Sequence, residues 1–303
     1  MRNRPVLVDT DPGIDDAVAL LVLWRHRRIE TKGILASYGN VPLSMTAANA
    51  RRLKKLFGWE IPVWEGASAP IFGKAGKTAD YIHGEDGLAG LGKILTPAPD
   101  TPIPEGEDGI EAAYRRICEL GTVDYISLGP LTNLAMLTRR HPDAWEHIGR
   151  VVSMGGGIDI GNVTGNAEFN IHCDAEAAAE VFANAPELWM APLNITTQVA
   201  LGIDEIRKLT EGGGELHTVF RRLLETNFKN CTEYGEPGSI MHDSVAVLLY
   251  IYPELFETMR CGIAVDCSKE RYGKTSVTSV RQNVLLPTKA NCRGLLDRIG
   301  ECL

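Results

Sequence analysis

Val6-Leu7-Val8-Asp9-Thr10-Asp11-Pro12-Gly13-Ile14-Asp15-Asp16-Ala17 runs from three apolar residues through an acidic turn into an apolar-periodic segment. That order predicts a buried strand, a tight loop punctuated by Pro12 and Gly13, and a helix. Asp9, Asp11, Asp15 and Asp16 fall close together, and carboxylates at short range repel one another. Asp15 and Asp16 suit the first turn of a helix, where the dipole favours negative charge. Asp9 and Asp11 precede the loop and gain nothing from it. A hard cation would relieve the repulsion, and the carboxyl end of a strand is a good place to hold one.

Outward from this stretch, strands and helices alternate. Strands are expected at about 5–9, 34–37 and 61–64, with helices at about 15–26 and 44–57 between them. Residues 66–108 break the rhythm with a Gly- and Pro-rich segment containing Tyr81-Ile82-His83-Gly84-Glu85-Asp86-Gly87; a loop of that length is usually functional or disordered. The rhythm resumes with a helix at 111–120 and strands at 123–128 and 150–154. A helix at 174–184 and a strand at 188–193 follow. Helices are expected at 204–209, 215–229 and 241–250, and β-rich runs at 262–266 and 276–286. No repeat or linker interrupts the chain. The expected fold is therefore α/β, one domain over residues 1–303, with an open, mostly parallel, Rossmann-like sheet and helices on both faces.

A length of 303 residues is ample for a large core. The net charge of −8 argues against a nucleic-acid or anionic-membrane partner. No apolar run is long enough to span a bilayer, and no leader is expected before the first strand. Seven scattered cysteines without a Cys-x-x-Cys pair argue against zinc and a disulfide framework, and fit a reducing cytoplasm.

Asp9/Asp11, Asn40, Gly129, Gly155 and Asn194 all follow expected strands, and ligands of an open parallel sheet bind at those ends. Carboxylates and amides presented together suit a ligand rich in hydroxyls. No Gly-x-Gly-x-x-Gly follows the first strand and no Walker lysine appears, so phosphate cradling is not indicated.

Asp9-Thr10-Asp11-Pro12-Gly13-Ile14-Asp15-Asp16-Ala17 resembles the signature of the inosine–uridine preferring nucleoside hydrolases. Tyr38-Gly39-Asn40, Gly129-Pro130-Leu131-Thr132-Asn133, Met154-Gly155-Gly156-Gly157, Gly161-Asn162, Ala167-Glu168-Phe169-Asn170 and His242-Asp243 resemble the rest of that pattern, in order. The resemblance covers most of the chain. It implies the nucleoside hydrolase fold and a Ca²⁺-dependent enzyme that cleaves ribonucleosides to base and ribose, in purine and pyrimidine salvage, as a homodimer or homotetramer. By the same resemblance Asp11, Asp16 and Asp243 would bind Ca²⁺ through side chains and Leu128 through its carbonyl. Asp11 would also take the proton from a calcium-bound water. Asp15, Asn40, Asn162, Glu168 and Asn170 would hold the ribose hydroxyls, and Met154 and Phe169 would line the sugar pocket. His83 would stand in the base pocket, as in some subgroups. Read from its own chemistry, His242 adjoins Asp243 and carries an imidazole that titrates near neutral pH, so it is expected to give a proton to the leaving base. This ligand set leaves room for water and sugar hydroxyls among the six to eight oxygens Ca²⁺ accepts. The oxocarbenium-like transition state favours nearby carboxylates.

Two departures stand out: Ala175 follows Asp174 where the family commonly has Pro, and Asn194 stands where many relatives have Asp. Several residues admit plainer readings. Asn40 could cap the helix near Ser44, and His83 could be a solvated loop residue. Asn230 and Tyr234 enter the base pocket on loop position alone. Asp9-x-Asp11 after a strand also resembles the haloacid dehalogenase-type Mg²⁺ phosphatases, but the later lysine and second acidic pair they need are not found. A non-catalytic nucleoside- or sugar-binding protein on the same fold would keep Asn40 and Asn170 without needing a base at Asp11.

Overall fold

The computed structural model describes residues 4–27, 29–73 and 76–303. The first half holds β1 (Pro5–Thr10), α1 (Ile14–Arg25), β2 (Glu30–Ala36), α2 (Leu43–Phe57), β3 (Val63–Glu65), α3 (Asp80–His83), α4 (Gly109–Leu120), β4 (Val123–Ser127), α5 (Thr132–Arg140), α6 (Ala144–His147) and β5 (Ile148–Met154). The second half holds α7 (Phe169–Cys173), α8 (Ala175–Asn184), β6 (Leu188–Ala191), α9 (Leu193–Thr196), β7 (Ala200–Leu201), α10 (Ile203–Leu209), α11 (Glu215–Glu233), β8 (Ser239–Ile240), α12 (His242–Ile251), β9 (Phe256–Asp266), β10 (Lys274–Thr278), β11 (Val284–Ala290) and α13 (Cys292–Gly300).

Nine strands form one sheet in the order β10-β9-β11-β6-β5-β4-β1-β2-β3, and β7 and β8 form a small antiparallel pair. From β3 to β6 every neighbouring pair is parallel; β11 joins β6 in parallel, and β9 and β10 extend that edge antiparallel. The segment β3-β2-β1-β4-β5-β6 has the strand order of a doubly wound dinucleotide-binding sheet. After β1 the chain winds outward to β3, then returns to β4 on the other side of β1. The crevice between the carboxyl ends of β1 and β4 is the switch point.

The central parallel strands β1, β4 and β6 bury both faces, as a parallel sheet requires. In β1, Val6 and Val8 enter a core formed with α1, α2, α11, α12 and α13, while Leu7 faces a second core beneath α4, α5 and α8. Helix α1 is buried on every side from Ile14 to Leu23, which explains its continuous apolar run. Its first turn carries Asp15 and Asp16 to the switch point, and α12 points its own first turn, with His242 and Asp243, at the same place.

The expected elements are present, and the short elements α6, α7, α9, β7 and β8 are additional to them. The β-rich run at 276–286 is two strands, β10 and β11, each paired with β9. Helix α5 begins directly after Gly129-Pro130-Leu131, which reads as a turn when taken alone. Helix α13 was not expected. Within 66–108 the backbone forms the single turn α3 and a 3₁₀ turn at Leu91–Lys93. Asp174 is the cap of α8, its Oδ1 accepting from the Ala177 N–H at 3.0 Å, so the Ala175 departure lies at a well-capped helix start.

Candidate active site

Asp11 leaves the end of β1 and Leu128 leaves the end of β4, so both sit at the switch point. Asp11 Oδ2 accepts the Asn40 backbone N–H at 2.8 Å. Its carboxylate lies so close to Gly39 and Gly129 that a Cβ at either would come within 2.0 Å and 2.5 Å of its oxygens. Both positions therefore demand glycine for space alone. Asn40 Nδ2 donates to the Asp11 carbonyl at 3.1 Å and to Asp16 Oδ2 at 3.0 Å. It does not cap α2, whose N-cap is Pro42 without a side-chain bond. Asp16 also accepts from Thr10 Oγ1 and from the Gly13 N–H.

Asp15, Asp16 and Asp243 are all buried and offer carboxylate oxygens within 4.8 Å of one another. Burial, then Asp16 and Asp15, push Asp11 well above the usual carboxylate range. Asp243 is raised likewise, by burial and then by Asp15, Asp16 and Asp11. So many buried carboxyls, to which no Lys or Arg side chain is bonded among the described residues, form a donor set for a hard divalent cation: all oxygen, all acidic, mutually repelling without one. Asp15, expected on the sugar side, belongs to this cluster as well. The Leu128 carbonyl points into the same region and accepts Asn170 Nδ2 at 2.7 Å.

Above the acidic floor lies a cavity of about 360 Å³. Asp15, Asn40, His83, Leu128, Met154, Asn162, Glu168, Phe169, Asn170, His242 and Asp243 all contribute to its lining, while Asp11 and Asp16 sit below its surface. Glu168 is the N-cap of α7. Its carboxylate accepts backbone N–H groups of Asn170, Ile171 and Gly156, and burial still raises it to about 7. Asn162 Oδ1 accepts the Phe169 N–H at 2.9 Å and so fixes the exposed loop 161–166 over the same wall.

The opposite wall carries two buried imidazoles. His83 Nδ1 accepts the Ile14 N–H at 3.1 Å, which places its ring proton on Nε2. Asp15 Oδ1 stands 3.9 Å from the same nitrogen. His242 Nδ1 is 2.7 Å from Thr196 Oγ1. Burial lowers both rings to about 4, and His83 adds to the effect at His242. So lowered, both rings are uncharged at neutral pH, and His242 presents an Nε2–H only in the tautomer whose Nδ1 accepts from Thr196 Oγ1, in place of a ready imidazolium proton. Tyr81 and Tyr234 meet edge to face at 5.2 Å across the mouth.

Three expectations fail here. Asp9 does not join the cluster. Side chains alternate along a strand, and Asp9 shares the Leu7 face, where Asn133 Nδ2 and Tyr125 Oη donate to it at 2.8 Å and 2.9 Å. Asn194 is exposed and clamps the backbone of Ile158 with both its amide atoms. Asn230 lies on α11 and donates to the Ile82 carbonyl at 2.7 Å, so it braces the base-side segment and does not line the cavity. Thr196, the partner of His242, carries no sequence signal.

The doubly wound switch point, with buried carboxyls on one side and two buried imidazoles on the other, defines an α/β protein whose site suits a hydroxyl-rich ligand. Residues 6–297 match the family model described as inosine-uridine preferring nucleoside hydrolase, and the chain belongs to that family; it is an N-glycosyl hydrolase. It is 35% identical over 296 residues to the non-specific ribonucleoside hydrolase RihC of Shigella boydii serotype 18, covering 97% of this chain and 93% of that one. To the protein of the same name from Escherichia fergusonii it is 33% identical, covering 99% and 98%. Among solved structures it is similar to a plant nucleoside hydrolase (TM-score 0.90, 25% identity, covering 99% of this chain and 98% of that one). Its fold also matches the purine-preferring ribonucleoside hydrolase from Gardnerella vaginalis (TM-score 0.90, 24% identity, covering 99% and 98%). Membership of this family removes the phosphatase reading. Among the described residues no helix is long and apolar enough to cross a membrane.

Proposed function

We propose that this protein, acting as one domain, hydrolyses purine and pyrimidine ribonucleosides to free base and ribose in a Ca²⁺-dependent reaction. The observation that carries the reading is the polarity of the cavity: buried carboxyls on one side, neutral imidazoles and aromatic rings on the other. A ribonucleoside has the same two halves. Breadth of base is supported by the two relatives named non-specific. It is also supported by Tyr81 and Tyr234, whose ring faces suit any base.

Asp11, Asp16 and Asp243 would hold Ca²⁺ by side chain and Leu128 by its carbonyl. When bound, Ca²⁺ orients and acidifies the attacking water. Asp11, deep between Gly39 and Gly129, would accept a proton from the attacking water as general base. Asp15, Asn40, Asn162, Glu168 and Asn170 bind the ribose hydroxyls, and Met154 and Phe169 shape the sugar pocket. The carboxylates around the sugar stabilise the positive charge that develops on it as the glycosidic bond lengthens. His242 donates its N–H to the departing base, with His83 beside it in the base pocket. The enzyme would serve nucleoside catabolism in the cytoplasm as a homodimer or homotetramer, a setting that the scattered, unpaired cysteines suit.

The test is a reducing-sugar and base-release assay on inosine, adenosine, guanosine, uridine and cytidine, with metal analysis of the active protein. Ribose from both purine and pyrimidine nucleosides is expected. Base release confined to one class would overturn the breadth. No ribose from any of them would overturn the function, and turnover of p-nitrophenyl phosphate with Mg²⁺ would restore the phosphatase.

A further inference from the structure

His83 reaches the cavity from a segment that belongs to no strand, and something must hold it there. Asn49 lies on α2, is fully buried and does not line the cavity. Its amide Nδ2 donates twice: to the Pro12 carbonyl at 3.0 Å, next to Asp11, and to the Asp86 carbonyl at 2.7 Å, three residues beyond His83. Its Oδ1 accepts Arg52 Nη1 at 2.9 Å. Arg52 in turn donates to the carbonyls of Leu95 and Gly92, so the whole segment 86–95 is fastened to α2. Asp86 folds that segment onto itself, its carboxylate accepting the N–H groups of Leu88, Gly90 and Gly92.

The junction is tight. A Cβ on Gly87 would fall 2.9 Å from Asn49 Nδ2 and 3.2 Å from the Pro12 oxygen, at a φ of +78° that itself favours glycine. A Cβ on Gly13 would fall 2.7 Å from His83 Nδ1. Two glycines thus let the base-side segment lie directly on the acidic turn, and one amide joins them. Only a side chain with two N–H groups on one nitrogen satisfies both carbonyls here.

We propose that Asn49 is a positioning residue for the base half of the site: by tying Pro12 to Asp86 it holds His83 against Ile14 and in line with the leaving base. The inference rests on the reading of His83 as a base-pocket group. Displacing such a group by an ångström is enough to cost about a hundredfold in rate.

The test is a double-mutant cycle between Asn49→Asp and His83→Ala, assayed on inosine and uridine and on p-nitrophenyl riboside, whose leaving group needs no help. Asn49→Asp keeps the volume and the acceptor for Arg52 but deprives both carbonyls of a donor. Asn49→Ser, which cannot reach either carbonyl and adds no charge, is run beside it. Both are expected to lower kcat/KM on nucleosides by about 10- to 100-fold and on p-nitrophenyl riboside by less than about threefold. Adding either to His83→Ala should cost nothing further. Independent losses, equal losses on both substrates, or full nucleoside activity in both Asn49 variants would overturn the proposal. Amide exchange of the Ile14 N–H and of residues 80–95 supplies a readout that does not depend on activity. Faster exchange confined to these amides is expected even if the wild type released no base, in which case the functional reading fails and the fastening stands. Unchanged exchange would sink the fastening itself.

Discussion

Asp9 and Asp11 stand two residues apart in one motif, and replacing each by asparagine should have opposite consequences. Asp9 is wholly buried against Tyr125 and Asn133 on the sheet face away from the cavity. Burial raises its carboxyl from 3.8 to about 7, although the bonds from Asn133 and Tyr125 pull the other way. A carboxyl whose folded pKa is raised favours the fold most below its unfolded value, and that contribution is lost as pH climbs through the folded one. The window is therefore about pH 4 to 7. A shift of about three units at about 1.4 kcal/mol each sets a ceiling of about 4 kcal/mol. Asparagine at position 9 carries no charge, can still accept from Asn133 and can donate to the tyrosine oxygen. Asp9→Asn should thus gain about 2–4 kcal/mol over the wild type between pH 4 and pH 8, most of it already present by pH 6. Urea unfolding at a series of pH values in the presence of chelator measures this, because the acidic cluster is common to both proteins and cancels in the difference. Turnover should stay within about threefold of wild type, since the Asp9 side chain bonds Tyr125 and Asn133, neither of which lines the cavity. A variant uniformly less stable at every pH would show that Asp9 is ionised and well served by its two donors. A collapse of activity in the folded variant would return Asp9 to the site.

Three further outcomes are expected. Asp11→Asn, with Ca²⁺ saturating, should lose on the order of 10² to 10⁴ in kcat, and near wild-type turnover would assign the base elsewhere. His242→Ala should lose about 10- to 150-fold on natural nucleosides, the worth of a hydrogen bond to a charged leaving group, and little on p-nitrophenyl riboside; equal losses on both would move His242 to the sugar or metal side. Ca²⁺ should raise the melting temperature and exhaustive chelation should abolish activity, because the Asp15–Asp16–Asp243 group is mutually repelling; a chelated enzyme of full activity would exclude a metal.

The path from Val6 to Ala17 was legible because two physical periods meet there: an apolar run of strand length gives way, across Pro12 and Gly13, to helical spacing. Counting its carboxylates was less sound. Proximity in sequence says nothing of the face, and the two-residue period of β1 sends Asp9 to Tyr125 while the turn sends Asp11 to Asn40. Asn40 could be read from its place after a strand, but Glu168 and Asn170 are ordinary polar residues one by one, and only the family pattern singled them out. The histidines' types were readable but their charge was not, since the pKa of His242 depends on burial by segments far apart in the chain. Helix α5 hid behind Gly129-Pro130, whose turn chemistry is real but lasts only until Thr132. Asn49 was invisible: an asparagine in a helical run reads as surface, and its partners Pro12 and Asp86 are 37 residues away on either side.

The two walls of the cavity differ in how freely they can vary. On the acidic side, Gly39 and Gly129 leave no room for one added carbon, and the carboxyls hang from β1, α1 and α12 at the centre of the core. A change there disturbs the sheet itself. On the base side, Tyr81 lies on the single turn α3 and Tyr234 ends α11, and both rings are more exposed than buried or nearly so. Neither belongs to a strand. Mutations that alter which base is accepted can therefore accumulate at those positions without touching the reaction or the stability of the sheet. A directed-evolution library restricted to Tyr81, Ile82 and Tyr234 should yield folded, active variants of altered base preference far more often than one spread over the acidic wall.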